Sequence, residues 1–143
     1  MKLFDLEIIT QEGVVWSGQA ESITLPTSVW EIGIMAGHAP LVGAILPGEA
    51  TIRTDNENKI FVVTNGFFRI TNGRVSVLSD SADALDALDE KLAQEARDKA
   101  QHLMQEKLTE REFAEAETSL QRSLLQLKVI HRRRSHRDQI IGK

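Results

Sequence analysis

Residues 75–103, VSVLSDSADALDALDEKLAQEARDKAQHL, change their hydrophobic period part-way and so divide the chain. Val75, Val77 and Ser79 alternate with Ser76 and Leu78, the period of two expected of a strand with one face turned inward. From about Asp83 the period lengthens. Leu85, Leu88, Leu92, Ala96, Ala100 and Leu103 recur at steps of three and four, the stripe of an amphipathic helix.

Upstream of this switch the text is all strand-like. Phe4, Leu6 and Ile8 alternate with Asp5 and Glu7, Ile23 and Leu25 follow Glu21, and Ala50 and Ile52 alternate with Thr51 and Arg53. Ile60-Phe61-Val62-Val63 is apolar throughout, as in a strand buried on both faces. Turn signals fall at Gly18, Pro47-Gly48, Asp55-Asn56, Asn65-Gly66 and Asn72-Gly73. Asn72-Gly73 predicts a two-residue hairpin with positive φ at both turn positions. Downstream, Thr109-Glu110-Arg111-Glu112 has the spacing of a capping box, and Phe113, Ala116, Leu120, Leu124 and Leu127 form a second stripe. The joint between two helices then falls near Lys107-Leu108. The expected fold is α+β: an N-terminal antiparallel β-sandwich over residues 1–84, then a C-terminal two-helix antiparallel hairpin over residues 85–143.

The 143 residues include no cysteine, which excludes disulfides and thiolate metal sites. No apolar run approaches the ~20 residues that span a bilayer, and Met1-Lys2-Leu3-Phe4 leads straight into strand, so a soluble chain without signal peptide is expected. The net charge of −4 is unevenly spread. Residues 118–143 hold seven bases against one acid, Asp138, which suits an acidic partner.

No enzyme constellation emerges. His38, His102, His131 and His136 have no ligand spacing, and no phosphate loop or nucleophile elbow is present, so neither catalytic residues nor a metal are expected. Asp80, Asp83, Asp86 and Asp89 form an acidic ladder whose spacing places some of them on one helix face. Helix capping and first-turn charge account for it more simply than catalysis. Arg132-Arg133-Arg134-Ser135-His136-Arg137 has the charge for nucleic acid but no interleaved aromatic residues. A solvated helix end and a dock for acidic protein remain beside that reading. In Glu31-Ile-Gly-Ile-Met-Ala-Gly-His-Ala-Pro40 a short apolar strand runs into a shaped loop, where Gly37 permits unusual backbone angles and Pro40 holds Ala39 out of helix. His38 reads either as a turn histidine serving local backbone or as a contact residue on a protruding loop.

This last stretch resembles the Gly-Glu-Ile/Leu-Gly-Ile-x-Pro-Gly-His-Ala-Pro-Leu segment of the epsilon subunit of the rotary, F-type ATP synthase. The order of the downstream segments also fits that family: Leu41-Val42-Gly43-Ala44, Pro47-Gly48, Asn65-Gly66-Phe67, Val75 to Asp80, then a helical tail. Trp30 and Ala36 stand where the family usually has glycine and proline. The resemblance implies a non-catalytic rotor subunit of the central stalk in a proton- or sodium-translocating ATP synthase. It implies a sandwich against the gamma subunit and the proteolipid ring, with Glu31 and His38 on the ring. It implies a hairpin that folds down or extends to the catalytic head and inhibits ATP hydrolysis, with Arg122, Lys128, Arg132, Arg133 and Arg134 in the inhibitory tail. The family's Ile/Leu-Asp-x-x-Arg-Ala nucleotide motif reads Leu88-Asp89-Glu90-Lys91-Leu92-Ala93 here, with Leu92 replacing the arginine and Gln126 one turn beyond Arg122. Weak or absent ATP binding is expected unless Lys91, Lys99 and Arg122 rebuild the site, and no cofactor is implied. The expected location is peripheral, on the cytoplasmic face of the bacterial inner membrane, as a monomer when isolated and without nucleic acid. The alternative is a β-sandwich binding module with a basic helical adaptor tail, for protein or nucleic acid, outside any rotary ATPase.

Overall fold

A computed structural model describes residues 2–141; residues 142–143, the end of the expected hairpin, and the side chains of residues 138–141, Asp138 among them, lie outside what it describes. The chain divides into two compact units, Met1–Asp86 and Ala87–Lys143.

The first unit is a sandwich of two five-stranded sheets. Its strands in chain order are β1 (Phe4–Thr10), β2 (Gly13–Ala20), β3 (Ser22–Pro26), β4 (Glu31–Met35), β5 (Leu41–Ile45), β6 (Gly48–Arg53), β7 (Asn58–Val63), β8 (Gly66–Thr71), β9 (Arg74–Ser79) and β10 (Ala82–Ala84). One sheet runs β2-β1-β9-β8-β5 and the other β10-β7-β6-β3-β4. Pairing is antiparallel except between β1 and β9, which run parallel. The parallel pair has no local signature, because its partners lie about seventy positions apart and no turn links them.

The alternating residues build the core. Leu6, Ile8, Ile23, Leu25, Ile52, Val77 and Phe68 are all but fully enclosed, and Phe61 and Val63 join them from β7. Val62 on the opposite face of β7 is buried as well, so the apolar run there has both faces covered. Fully burying such a side chain is worth roughly 1.5–3 kcal/mol, so this cluster dominates the unit.

Two turn expectations need correction. Gly18 lies inside β2, not in a turn. The chain reverses earlier, before Gly13 (φ 122°), and the β1–β2 register slips by one residue between Ile8 and Ile9. The Asn72-Gly73 turn does close the β8–β9 hairpin, with Thr71 opposite Arg74, but only Gly73 takes positive φ (70°). Asn72 stays in the ordinary region. Glycine is also required at Gly66, where a Cβ would lie 1.9 Å from the Leu78 carbonyl oxygen.

The second unit holds α1 (Glu90–Leu103) and α2 (Glu110–Ile141), preceded by a single 3-10 turn at Leu85–Ala87 that straddles the boundary. Asp89 sets where α1 begins: its carboxylate accepts from the Lys91 and Leu92 amides at 2.9 and 3.3 Å. Leu85 and Leu88 therefore precede the helix. The buried face of α1 consists of Ala93 and Ala100, seven residues apart, while Leu92 is 62% exposed. Of the expected stripe, Ala100 is buried and Ala96 and Leu103 are half-buried, whereas Leu92 turns outward and Ala93 joins the buried face instead. In α2, Thr109 Oγ1 accepts from the Glu112 amide at 3.1 Å and donates to its carboxylate at 2.9 Å, so the box closes through the hydroxyl. Ala116, Ser123, Leu127 and Val129 are buried, whereas Phe113 and Leu124 face water. Ser123 satisfies its hydroxyl on the Ser119 carbonyl at 2.9 Å.

The acidic ladder is not one helix face. Asp80 lies in the turn after β9, Asp83 in β10, Asp86 in the 3-10 turn, and Asp89 is the cap.

Candidate functional site

Each unit carries its own candidate surface. On the sandwich, the β3–β4 loop is a tight tip. The Thr27 amide donates to the Trp30 carbonyl at 3.1 Å, the Thr27 hydroxyl donates to the same oxygen, and the Trp30 amide reaches Thr27 Oγ1 at 3.4 Å. These bonds hold Val29 and Trp30 outward, 71% and 73% exposed. Leu46 lies at the same end, its amide bonded to the Pro26 carbonyl at 3.1 Å, and is itself partly exposed. Glu31 follows Trp30 directly as the first residue of β4, opposite Pro26 and open to solvent. An exposed tryptophan held by its own backbone is a preorganised contact, since an aromatic with a fixed main chain loses little entropy on docking.

His38 lies elsewhere. Glu31 and His38 flank opposite ends of β4, and the strand alone separates them by about 13 Å at 3.3 Å per residue. Gly37 takes φ 83° just before His38, the His38 amide donates to the Met35 carbonyl at 3.2 Å, and Nδ1 lies 2.8 Å from the Ala39 carbonyl oxygen. The polar contacts of His38 are thus local, and the geometry does not gather Glu31 and His38 into one patch.

A feature that no stretch of sequence announces runs across the outer face of the β2-β1-β9-β8-β5 sheet. Register aligns Ala44 with Phe67, Phe67 with Leu78, Leu78 with Ile9, and Ile9 with Val14. Five strands thus contribute one transverse apolar row, with Phe67 and Val14 well exposed, beside an open groove lined by Gln11, Asn65 and Asp80. Each residue is an isolated outward apolar position in its own strand, and only the register joins them.

On the hairpin, the residues of the nucleotide-like motif serve structure. Asp89 caps α1, and Leu92 presents an alkyl side chain to water. Arg122 is half-buried within α2. Lys128 is exposed, as are Arg132, Arg133 and Arg134. Arg134 meets an acid of α1: its Nη2 lies 2.5 Å from Glu90 Oε2, while His131 Nε2 lies 2.7 Å from Glu90 Oε1. The Arg134 hydrogen bond, then that of His131, hold the Glu90 carboxyl below its ordinary value. Glu90 was not among the sequence candidates. The only signal for it is the three-residue spacing of His131 and Arg134, which does not say which acid they meet. Among the described residues no cluster of histidine and carboxylate side chains has the form of a metal site, and no helix is long and apolar enough to cross a membrane.

Comparison with known families decides the kinship. The family described as ATP synthase, Delta/Epsilon chain, beta-sandwich domain matches residues 3–84, and that described as ATP synthase, Delta/Epsilon chain, long alpha-helix domain matches residues 86–131. The chain belongs to the ATP synthase delta/epsilon family. Among its relatives, an ATP synthase epsilon chain of Ruminiclostridium cellulolyticum is 34% identical over 94% of this chain and 100% of the relative. One of Dehalococcoides mccartyi is 35% identical over 95% of this chain and 98% of its own length. As epsilon-type chains these are non-catalytic subunits, and so is this one. The fold recurs in a chain of the Euglena gracilis mitochondrial ATP synthase, in a cryo-EM structure of its OSCP, F1 and c-ring, with TM-score 0.63 and 20% identity over 90% of this chain and 81% of that one. It recurs again in the central stalk and c-ring structure of the Tetrahymena thermophila enzyme, with TM-score 0.56 and 16% identity over 87% and 94%.

Proposed function

We propose that the sandwich is the rotor-bound part of a central-stalk subunit and that the hairpin is a conditional arm restraining ATP hydrolysis. The observation that carries this reading is the difference in build between the units. The sandwich has a deep core and presents exposed apolar contacts, the Val29–Trp30 tip and the Phe67 row, on a fixed frame. The hairpin has a shallow seam and a basic second helix. A rotor subunit needs the first property to transmit torque and the second to change partners.

In this reading the Trp30–Glu31 end seats on the proteolipid ring, and the apolar row meets the gamma subunit. The His38 loop, at the other end of β4, makes a contact of its own. Lys128, Arg132 and Arg133 steer α2 toward acidic surface of the catalytic head, with Arg122 nearer the seam. The complex places the subunit peripherally at the cytoplasmic face of a bacterial membrane and couples proton or sodium flow to ATP synthesis. ATP binding by the subunit itself is weak, because Asp89 is committed to capping and Leu92 supplies no charge to a triphosphate.

The experiment is reconstitution of the ATPase complex with the intact chain and with a chain ending at Thr109. Both should assemble, and the shortened chain should give faster ATP hydrolysis. Failure of the intact chain to join the complex overturns the rotor reading, and equal hydrolysis rates overturn the inhibitory arm.

A further inference from the structure

We infer that Glu90, gripped by His131 and Arg134, is a latch that holds the α1–α2 hairpin closed at its open end. This deepens the proposed function only in what hairpin opening would serve; the latch itself is a property of the isolated chain.

Glu90 is the first residue of α1, and the connection between the helices lies at the other end of α1, at residues 104–109. Separation of the two helices therefore begins where Glu90 sits, because the far end is tied by the chain. Each carboxylate oxygen receives its own donor, Oε1 from His131 Nε2 at 2.7 Å and Oε2 from Arg134 Nη2 at 2.5 Å. The donors stand three residues apart, one helical turn of α2, so both reach one carboxylate without bending the helix. Charge-assisted bonds of this length are about twice as strong as neutral ones. The Arg97–Asp98, His102–Glu106 and Arg111–Glu115 pairs link near neighbours in sequence and do nothing to hold α1 to α2.

The latch adds a polar closure to a seam whose large buried side chain, Leu127, comes from α2. α1 buries only Ala93 and Ala100, and alanine offers few dispersion contacts and little area to remove from water. Leu92, Phe113 and Leu124, which would have strengthened an apolar seam, face solvent. With a shallow seam, a polar contact worth little on an ordinary surface becomes a sizeable fraction of the closing free energy. Glu90 is 26% exposed and its donors His131 and Arg134 are 58% and 51% exposed, so added salt weakens the grip.

The test uses the full chain, which has no native cysteine. Spin labels go on Glu95→Cys and Lys128→Cys, both exposed and on different helices, and the inter-label distance distribution is read by pulsed dipolar spectroscopy. The parent should show one short separation. Glu90→Ala should raise the population of separated helices about fivefold, as expected for losing two charge-assisted bonds of partly exposed groups. Arg134→Ala should give part of that rise and, added to Glu90→Ala, no more. An unchanged distribution, or effects that sum, overturns the latch. Should Glu90→Ala melt α1 outright, Glu90→Gln serves: added salt should open the parent but leave Glu90→Gln unmoved, and equal responses overturn the inference. No ATPase partner takes part, so failure of the rotor reading and failure of the latch are separately visible.

Discussion

The sandwich and the hairpin spend their apolar residues differently. The sandwich encloses seventeen residues in one cluster drawn from all ten strands, nearly all of them large. The hairpin, with two helices and the longer single element of the chain, encloses two alanines from α1 and a few residues of α2. A β-sandwich that cannot shift register without turning its core outward has one arrangement. A hairpin whose first helix buries only alanines gives up little apolar burial there in making a second one. The difference locates rigidity in the first unit and choice in the second.

The largest expected effect is at Phe68. Its side chain is 2% exposed and fits against Gly43, where even a Cβ would come within 2.5 Å of the ring. Phe68→Ala should cost about 3–5 kcal/mol, measured by urea unfolding of the chain. The loss should appear in the transition of the sandwich while helical signal persists. If the helices unfold with it, the two units are not independent and the contrast fails.

A smaller loss sharpens it. Leu127 is the large buried side chain on the face of α2 that also carries Ala116 and Ser123. Leu127→Ala should remove about 2–3 kcal/mol, near the lower end of the range because a shallow seam collapses more easily. Hydrogen exchange should quicken along α1 and α2 and stay unchanged in β1, β8 and β9. Unchanged exchange in α1 would mean that something other than the seam holds it.

Much of this contrast was legible in the sequence, and the part that was not has a physical cause. The change of period from about Asp83 announces a change from strand to helix, since a two-residue repeat and a three-to-four repeat cannot share one element. The alternating residues of β1, β3, β6 and β9 are core residues in the fold. In α1 the expected stripe held at Ala96, Ala100 and Leu103, which are half-buried or buried, and failed at Leu92, because spacing alone does not say which edge of the stripe meets the neighbouring helix. The parallel β1–β9 pair, the Phe67 row and the Glu90 grip were hidden for a common reason. Each depends on residues brought together from distant strands or helices, and no local repeat records such a meeting. The motif at Glu31–Pro40 showed the family, yet its regular appearance hid that Glu31 and His38 end up on opposite ends of one strand.

A third effect concerns Trp30, whose side chain stabilises nothing inside the sandwich. Trp30→Gly should leave unfolding within ~0.5 kcal/mol of the parent, and the fold should survive. Association with the ring partner should weaken about tenfold, as for loss of a single aromatic anchor. Comparable loss from His38→Ala, measured in the same binding assay, would mean that both ends of β4 meet the ring and that the sandwich lies along it.

The smallest effect is the acid response of the hairpin. The Arg134 hydrogen bond, and then the His131 one, hold the Glu90 carboxyl below its ordinary value. A carboxylate lowered on folding binds its proton more weakly in the closed hairpin than in the open one. Its contribution is therefore complete above the ordinary carboxylate range, about 4.3, and disappears as pH falls through the lowered value of the closed state. Helical content followed by circular dichroism should fall with acid in the parent. In Glu90→Gln, which cannot ionise, the curve should start lower and be flatter over the same interval. The two curves should meet at the acid end, where both side chains are neutral, and stand apart from about pH 5 upward. Arg134→Ala should lose the larger share of that difference and His131→Ala the smaller, in the order of their hydrogen bonds to Glu90. Parent and Glu90→Gln curves that run parallel down to the acid end would show that other carboxylates govern the response, and that the Glu90 contacts add nothing measurable to the closed hairpin.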